Sequence, residues 1–189
     1  MLVENIPGTN IKYGENKDAF SILRPMIEIT GGLSLGQICS ITNLQPSTIQ
    51  NWVKRSYVPR PINKKYHERH VSRILLISAL RDSMNIEEIG ELMILINGDT
   101  EDESDDIISE SNLFDYFCRC ILKLDESSIS NKNISEIISK TISDSNAVHL
   151  DRLKSALTIM IYAYILGECK KQINKNLYEL RGKEDEKEI

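Results

Sequence analysis

The fold is decided by residues 43–55, which read NLQPSTIQNWVKR. Asparagine tolerates the left-handed conformation that closes a helix, and proline is favoured at a first helical position because the N–H it lacks has no partner there. Asn43 therefore predicts the end of one short helix and Pro46 the start of a second, over residues 46–55. The first helix has apolar residues at three- and four-residue spacing: Leu35, Ile38, Cys39 and Ile41. Two short helices with a turn of about three residues between them form a helix-turn-helix.

The second helix has an apolar and a polar side. Ile49, Trp52 and Val53 are spaced to pack against the first helix. The other positions carry side chains that can bond base edges or phosphates, so we interpret this side as one that enters the major groove of DNA. A polar outer side is also typical of any surface helix. The candidate DNA-binding residues, here and in the following segment, are Ser47, Thr48, Gln50, Asn51, Lys54, Arg55, Arg60, Lys64, Lys65 and Tyr66.

The segment after the second helix is strongly basic. Residues 59–67, PRPINKKYH, are too rich in proline for a helix and predict an extended ribbon or small wing. Residues 45–81 hold eight basic side chains against the single acid Glu68, a net charge of +7, whereas the remaining 15 basic and 27 acidic residues give the rest of the chain −12. A basic segment on an acidic protein is typical of a surface that binds a polyanion.

Two further helices complete this unit. We expect them over residues 71–80 and 86–96, where apolar residues recur at helical spacing. Glu87 and Glu88 lie in the first turn of the second of these helices, where carboxylates favour the helix dipole. Asn97 and Gly98 are typical of a helix end.

Over about 60 residues this succession resembles the winged helix-turn-helix domain of MerR-type transcriptional regulators. The pattern comprises Leu35-x-x-Ile38-Cys39, residues 43–49, Lys64-Lys65-Tyr66, the apolar repeat of residues 71–82, and Ile86-x-Glu88-Ile89-x-x-Leu92. More closely, residues 49–55 with the downstream run 105–111 resemble an uncharacterised family of MerR-like bacterial proteins described as a domain of unknown function. The first resemblance implies a DNA-binding regulator, and the second implies no established activity.

The MerR pattern carries over only in part. Its basic pair and wing tyrosine fall on Lys64-Lys65-Tyr66, but its recognition-helix arginine falls on Gln50 and its following glycine on Ser56. The operator sequence therefore does not transfer. The family's phosphate-contacting aromatic falls on Trp52, although a lone tryptophan in a small domain is more often a core anchor, which is the reading we favour.

We divide the chain into an N-terminal arm (1–32), a MerR-like winged helix-turn-helix domain (33–98), an acidic linker (99–111) and a helical dimerisation or effector domain (112–189). The arm could form a short helix over residues 19–29, interrupted at Pro25. The linker lacks the glycine and ligand spacing of a calcium loop. It is most simply a solvated connection, or it competes with DNA for the basic segment.

The C-terminal part is expected to be all helical, which makes the fold class mainly α. Apolar stripes predict helices near residues 113–122 and 134–142 and a long helix from about residue 146 towards 180. The middle of the long helix, residues 156–166, is apolar nearly all round but too short to span a bilayer. We expect it to form a homodimer interface without sustained heptads; Met160, Tyr162 and Tyr164 lining a small-molecule pocket is the alternative.

The composition favours a globular cytoplasmic protein: 41% of residues are hydrophobic, 27% are charged, and no signal peptide is evident. Cys118 and Cys120 point about 200° apart on a helix, so we expect buried thiols and no metal site. We found no Gly-rich phosphate loop and no nucleophile with an evident base, which predicts neither an enzyme nor a cofactor. The alternative function is a protein-interaction adaptor with a helix-turn-helix scaffold and no role on DNA.

Overall fold

The structure, a computed structural model, describes residues 4–13, 19–98, 100, 104, 106–124 and 129–185, with side chains as far as residue 181. These residues form eight α-helices and three isolated β-bridges, so the expectation of a mainly helical protein is confirmed. The helices are α1 Ala19–Ile29, α2 Leu35–Thr42, α3 Pro46–Lys54, α4 Glu68–Leu80, α5 Ile86–Asn97, α6 Glu110–Lys123, α7 Asn131–Thr141 and α8 Leu150–Asp185.

The boundaries of α2 and α3 follow from local chemistry. Ser34 caps α2 through a reciprocal pair of hydrogen bonds with Gln37, and Asn43 closes α2 in the left-handed conformation, with φ of 56°. Pro46 occupies the first turn of α3 as the sequence predicts, and α3 ends at Lys54, one residue before the predicted end. These two helices are in contact.

A left-handed residue also closes α3. Ser56 has φ of 60°, its N–H donates to the Val53 carbonyl at 3.1 Å, and the Tyr57 N–H donates to the Trp52 carbonyl at 2.9 Å. This pair of bonds is a Schellman motif, in which the left-handed position is usually glycine. Ser56 therefore carries a backbone strain that glycine would not.

The proline-rich segment after α3 forms a tight hairpin. The Ile62 and Lys65 backbones exchange hydrogen bonds of 3.0 and 2.8 Å around Asn63 and Lys64, whose φ angles are 50° and 63°. Positive φ at both central residues is the type I′ geometry that matches strand twist. The next residue, Tyr66, bridges to Leu33 just before α2.

Helix α4 lies at the centre of the molecule. It is longer than the predicted 71–80 because it begins at Glu68, and ten of its 13 residues are buried. It contacts α2, which precedes it in the chain, and α5, α6 and α8, which follow it. The buried apolar residues from Ile6 to Tyr164 form one cluster. The four-part division of the chain stays a prediction, but the core runs across it.

Two helices differ from expectation. Helix α1 continues through Pro25, which is exposed, so its ring points away from the core. Helix α8 begins at Leu150 instead of near residue 146 and extends to Asp185, past the predicted end near residue 180. At 1.5 Å per residue, its 36 residues make a rod about 54 Å long.

Replacing Ser56 by glycine should raise the free energy of unfolding by about 1 kcal/mol, because the left-handed conformation costs glycine no Cβ clash. Denaturant unfolding measures the change. Ser56→Ala keeps the Cβ and is the matched control. Equal effects of the two substitutions would show that the backbone conformation of Ser56 carries no cost.

A two-point ion pair joins α1 to α4. Arg24 donates from Nε and Nη2 to the two carboxylate oxygens of Glu68 at 2.9 and 2.8 Å, and these bonds lower the pKa of Glu68. Both side chains are partly exposed, at 44% and 32%, so solvent screens the pair.

Glu68→Gln should therefore cost about 0.5–1 kcal/mol of stability at neutral pH. A lowered folded-state pKa stabilises the protein above the unfolded-state pKa, about 4.3 for glutamate, and this contribution is lost as the pH falls through the folded-state value. Unfolding of both proteins at pH 7 and pH 3 measures it. A difference that persisted at pH 3 would attribute the effect to packing instead of charge.

Candidate nucleic-acid interface

Helix α3 presents its polar side to solvent. Ile49 and Trp52 are buried, at 0% and 6% exposure, and Val53 is half-buried, so these three residues pack inward as the sequence predicts. Trp52 is thus a core anchor. Of the candidate residues on this helix, Ser47, Gln50, Asn51 and Lys54 are exposed and Thr48 is half-buried.

The amino end of α3 lacks a side-chain cap. Gln45 stands at the N-cap position, but its side chain makes no capping hydrogen bond. The first N–H groups of a helix carry partial positive charge and bind anions when no side chain satisfies them. This end of α3 is chemically suited to an external acceptor such as a phosphate.

The basic residues that follow are divided between surface and interior. Lys54, Arg55, Arg60, Lys64 and Arg81 are exposed. Arg55 is already paired: its Nη2 lies 2.6 Å from Glu87 Oε1 on α5, and its guanidinium lies 4.9 Å from the centroid of the Tyr57 ring. The hydrogen bond from Arg55 lowers the pKa of Glu87.

Two of the candidate residues have structural contacts of their own. Lys65 Nζ donates to the carbonyls of Thr30 and Gly32, each at 3.2 Å, so it holds the hairpin on the loop before α2. Tyr66 is 4% exposed, and its ring packs edge-on against His70 with centroids 6.0 Å apart. Both residues stabilise the hairpin, and the side chain of Tyr66 lies in the core.

The basic segment presents less positive charge at its surface than its sequence suggests, because Arg69 and Arg73 are paired with acids. The sequence places them in the basic segment, but Arg73 Nη2 lies 2.6 Å from Glu110 Oε1, with the two side chains only 2% and 0% exposed. Arg69 lies 3.6 Å from the same oxygen and 3.7 Å from Asp106 Oδ1. These two arginines therefore neutralise acids at the start of α6 and do not add to a surface for a polyanion.

Sequence reasoning missed this buried cluster, although a signal was present. Arg73 directly precedes the apolar run of residues 74–77 on a mostly buried helix, and a buried charge requires a partner. Glu110 is the partner, at the first position of α6. Burial raises the pKa of Glu110, and the adjacent Arg73 guanidinium opposes that rise.

The cysteine pair is buried. Cys118 and Cys120 both lie in the core on α6, which confirms the expectation of buried thiols, and burial raises the pKa of Cys120 to about 11. Within the described ranges, no three His, Cys, Asp or Glu side chains come together as metal ligands. Met160 and Tyr164, considered above for a ligand pocket, are buried as core residues, whereas Tyr162 is exposed.

A cleft of about 460 Å³ lies elsewhere on the molecule, where the N-terminal arm meets the α2–α3 turn, the end of α4 and α8. Its charged side chains include Lys171, which already pairs with Asp82 at 3.0 Å and Glu168 at 2.8 Å.

In the described part of the chain, no helix has the length and apolar character to cross a lipid bilayer.

Comparisons with known proteins yield two likenesses and no assigned activity. Residues 32–117 match the family model described as Domain of unknown function (DUF1836). The chain is also similar to "Uncharacterized protein YkrK" of Bacillus subtilis (strain 168), at 30% identity over 112 residues, which are 56% of this chain and 48% of that protein. The chain thus spans about half the length of the curated relative it matches. No solved structure matches it.

Proposed function

We propose that the protein is a sequence-specific DNA-binding transcriptional regulator with a MerR-like winged helix-turn-helix, which binds a pseudo-palindromic site as a dimer. The observation that carries the proposal is the outer side of α3. Ser47, Gln50, Asn51 and Lys54 are exposed there. Their amide, hydroxyl and ammonium groups are those that read base edges in a major groove.

The other proposed contacts are with the phosphate backbone of the DNA. In this arrangement α3 enters the groove, its uncapped amino end meets a phosphate, and the hairpin acts as the wing with Lys64 at its tip. Arg55 and Arg60 hold phosphates beside it. Lys65 and Tyr66 hold the wing against the rest of the protein and do not contact DNA.

The outer stripe of α8 supports a dimer. Its buried side packs on α4, α5, α6 and α7, yet apolar side chains on the opposite side remain exposed. They recur at steps of three, four, seven, four and three residues, which place them on one side of the helix as a coiled-coil seam does, although without a continuous heptad repeat: Ile159, Tyr162, Leu166, Ile173, Leu177 and Leu180. The stripe is about 30 Å long. A second copy of the chain, seated through the same stripe, would cover both faces and supply the two-fold symmetry that a palindromic site needs.

The alternative is a protein-interaction adaptor. It is favoured by the exposed side of α5, where Ile94 and Leu95 are 60% and 56% exposed. Pairs of exposed apolar residues mark interaction sites when they extend into a larger patch. DNA selection decides between the two functions.

The purified protein, mixed with a randomised double-stranded DNA library at about 0.15 M salt, should enrich a short inverted repeat over successive rounds of selection. A Lys54→Glu/Lys64→Glu variant should enrich none, because both reversed charges oppose phosphates. Wild-type protein that recovered DNA without a motif, or none, would refute sequence-specific regulation and leave the adaptor as the working function.

The hairpin tip offers a variant pair that separates binding from stability. Lys64→Gly and Asn63→Gly each replace a residue held at positive φ, so each should stabilise the fold, by up to about 1 kcal/mol. Only Lys64→Gly removes a charge, and it alone should weaken DNA binding and flatten its salt dependence. Equal affinity of the two variants would show that Lys64 does not contact DNA.

The dimer is tested on α8. Wild-type protein should sediment at twice the 21.6 kDa chain mass, and Leu166→Glu/Ile173→Glu should sediment as a single chain because it places charges in the seam. Ile29→Glu changes a residue that is 85% exposed on α1 and is the matched control. A monomeric wild type, or a double variant that remained dimeric, would exclude this seam.

A further inference from the structure

A chain of contacts, exposed at Ser56 and buried at Glu110, connects the end of α3 with the start of α6. The Thr100 hydroxyl donates to the carbonyl of Ser56, the left-handed residue that closes α3, at 3.1 Å. The same hydroxyl oxygen accepts from Arg73 Nη1 at 3.0 Å. Because a hydroxyl has one hydrogen, its donation to Ser56 leaves a lone pair for Arg73.

The chain continues across α4. The second terminal nitrogen of Arg73, Nη2, lies 2.6 Å from Glu110 Oε1, and Glu110 is the first residue of α6. Arg69, one turn earlier on α4, lies 3.6 Å from that oxygen as well. One planar guanidinium thus faces the α3 turn with one arm and α6 with the other.

We propose that Glu110, Arg73 and Thr100 are positioning residues for DNA recognition: they hold the carboxyl end of α3 in place from the start of α6. The inference rests on the function proposed above and adds the route by which the C-terminal helices act on the recognition helix. These residues do not contact DNA themselves. They act through the Ser56 carbonyl.

The linkage between Glu110, Arg73 and Thr100 does not relax gradually. Arg73 and Glu110 are almost fully withdrawn from water, so separating their charges leaves the Arg73 guanidinium buried without its counterion and leaves the Glu110 carboxylate with Arg69 alone, 3.6 Å away. If the start of α6 moves, Arg73 follows Glu110 and releases Thr100. Ser56 then loses its outside partner while it remains in a strained conformation.

Helix α6 is well placed to carry such a movement. It contacts α7 and α8, and the T-shaped contact of Phe117 with Tyr164 on α8 has centroids 5.7 Å apart. In the middle of the same helix, Asp115 Oδ1 accepts from the Phe20 N–H at the start of α1, at 3.1 Å. A change on α8, such as pairing with a second copy, therefore reaches Glu110 through one rigid helix.

The test uses two substitutions at Thr100 in the full-length protein. Thr100→Val has nearly the same shape but neither donates nor accepts, whereas Thr100→Ser keeps the hydroxyl. Hydrogen exchange of the amides of residues 56–58 should be about fivefold faster in Thr100→Val, as expected for one lost hydrogen bond, and unchanged in Thr100→Ser. Amides of α7 should exchange equally in all three proteins. Equal exchange at residues 56–58 in all three would overturn the proposal, whatever the protein binds.

Binding to the selected DNA site gives the second readout. Thr100→Val should bind that site about fivefold more weakly than wild type, and Thr100→Ser should bind as wild type does. Faster exchange with unchanged affinity would overturn the positioning role. A wild type that selected no site would instead refute the proposed function, which the exchange measurement does not depend on.

Glu110→Gln extends the test to the other end of this chain of contacts, at the start of α6. It keeps the side-chain shape and removes the charge that holds Arg73, so exchange at residues 56–58 should rise as it does in Thr100→Val. Glu91→Gln, an exposed acid on α5, is the control. If Glu110→Gln folds and leaves the exchange rates of those amides unchanged, the chain of contacts ends at Arg73 and the coupling to α6 is refuted. If it does not fold, Arg73→Lys replaces it, because lysine cannot hold Thr100 and Glu110 at once.

Discussion

The burial of α4 is the constraint on which the rest of the molecule depends. Six of its side chains are large, apolar and at most 1% exposed: Val71, Ile74, Leu75, Leu76, Ile77 and Leu80. Burying one such side chain contributes about 1.5–3 kcal/mol, whereas a whole domain is stable by only about 5–15 kcal/mol. Because α4 contacts helices before and after it in the chain, the candidate DNA-binding helices and the C-terminal helices share one core.

The parts of the fold that the sequence predicts are those set by local chemistry. Asn43 and Pro46 mark the break between α2 and α3, and the inward residues of α3 follow from helical spacing. The partners of Arg69 and Arg73 could not be read in the same way, because Glu110 lies 37 residues beyond Arg73 along the chain. Charge counted along the sequence does not distinguish a surface arginine from one that neutralises a buried acid.

Helix α8 shows a second limit of sequence reading. It carries a buried apolar stripe on one side and an exposed one on the other, and the two together make residues 156–166 look apolar all round. The superposition hides the outer stripe, which becomes visible only when the buried residues are set aside. Its exposed stripe also shows that one chain alone does not cover this helix.

The pairing of Arg55 with Glu87 has a consequence for the energetics of association. In the free protein the carboxylate of Glu87 already serves as the counterion of this guanidinium. A phosphate that takes Arg55 must displace that carboxylate, and Glu87 is then left as a negative charge close to a polyanion. Such an exchange neutralises less of the nucleic acid than a free arginine would, and so releases fewer of its condensed cations. If the protein binds DNA as we propose, the α5 helix would limit nonspecific affinity at Arg55, and discrimination between sequences would fall more heavily on the uncharged side chains of α3.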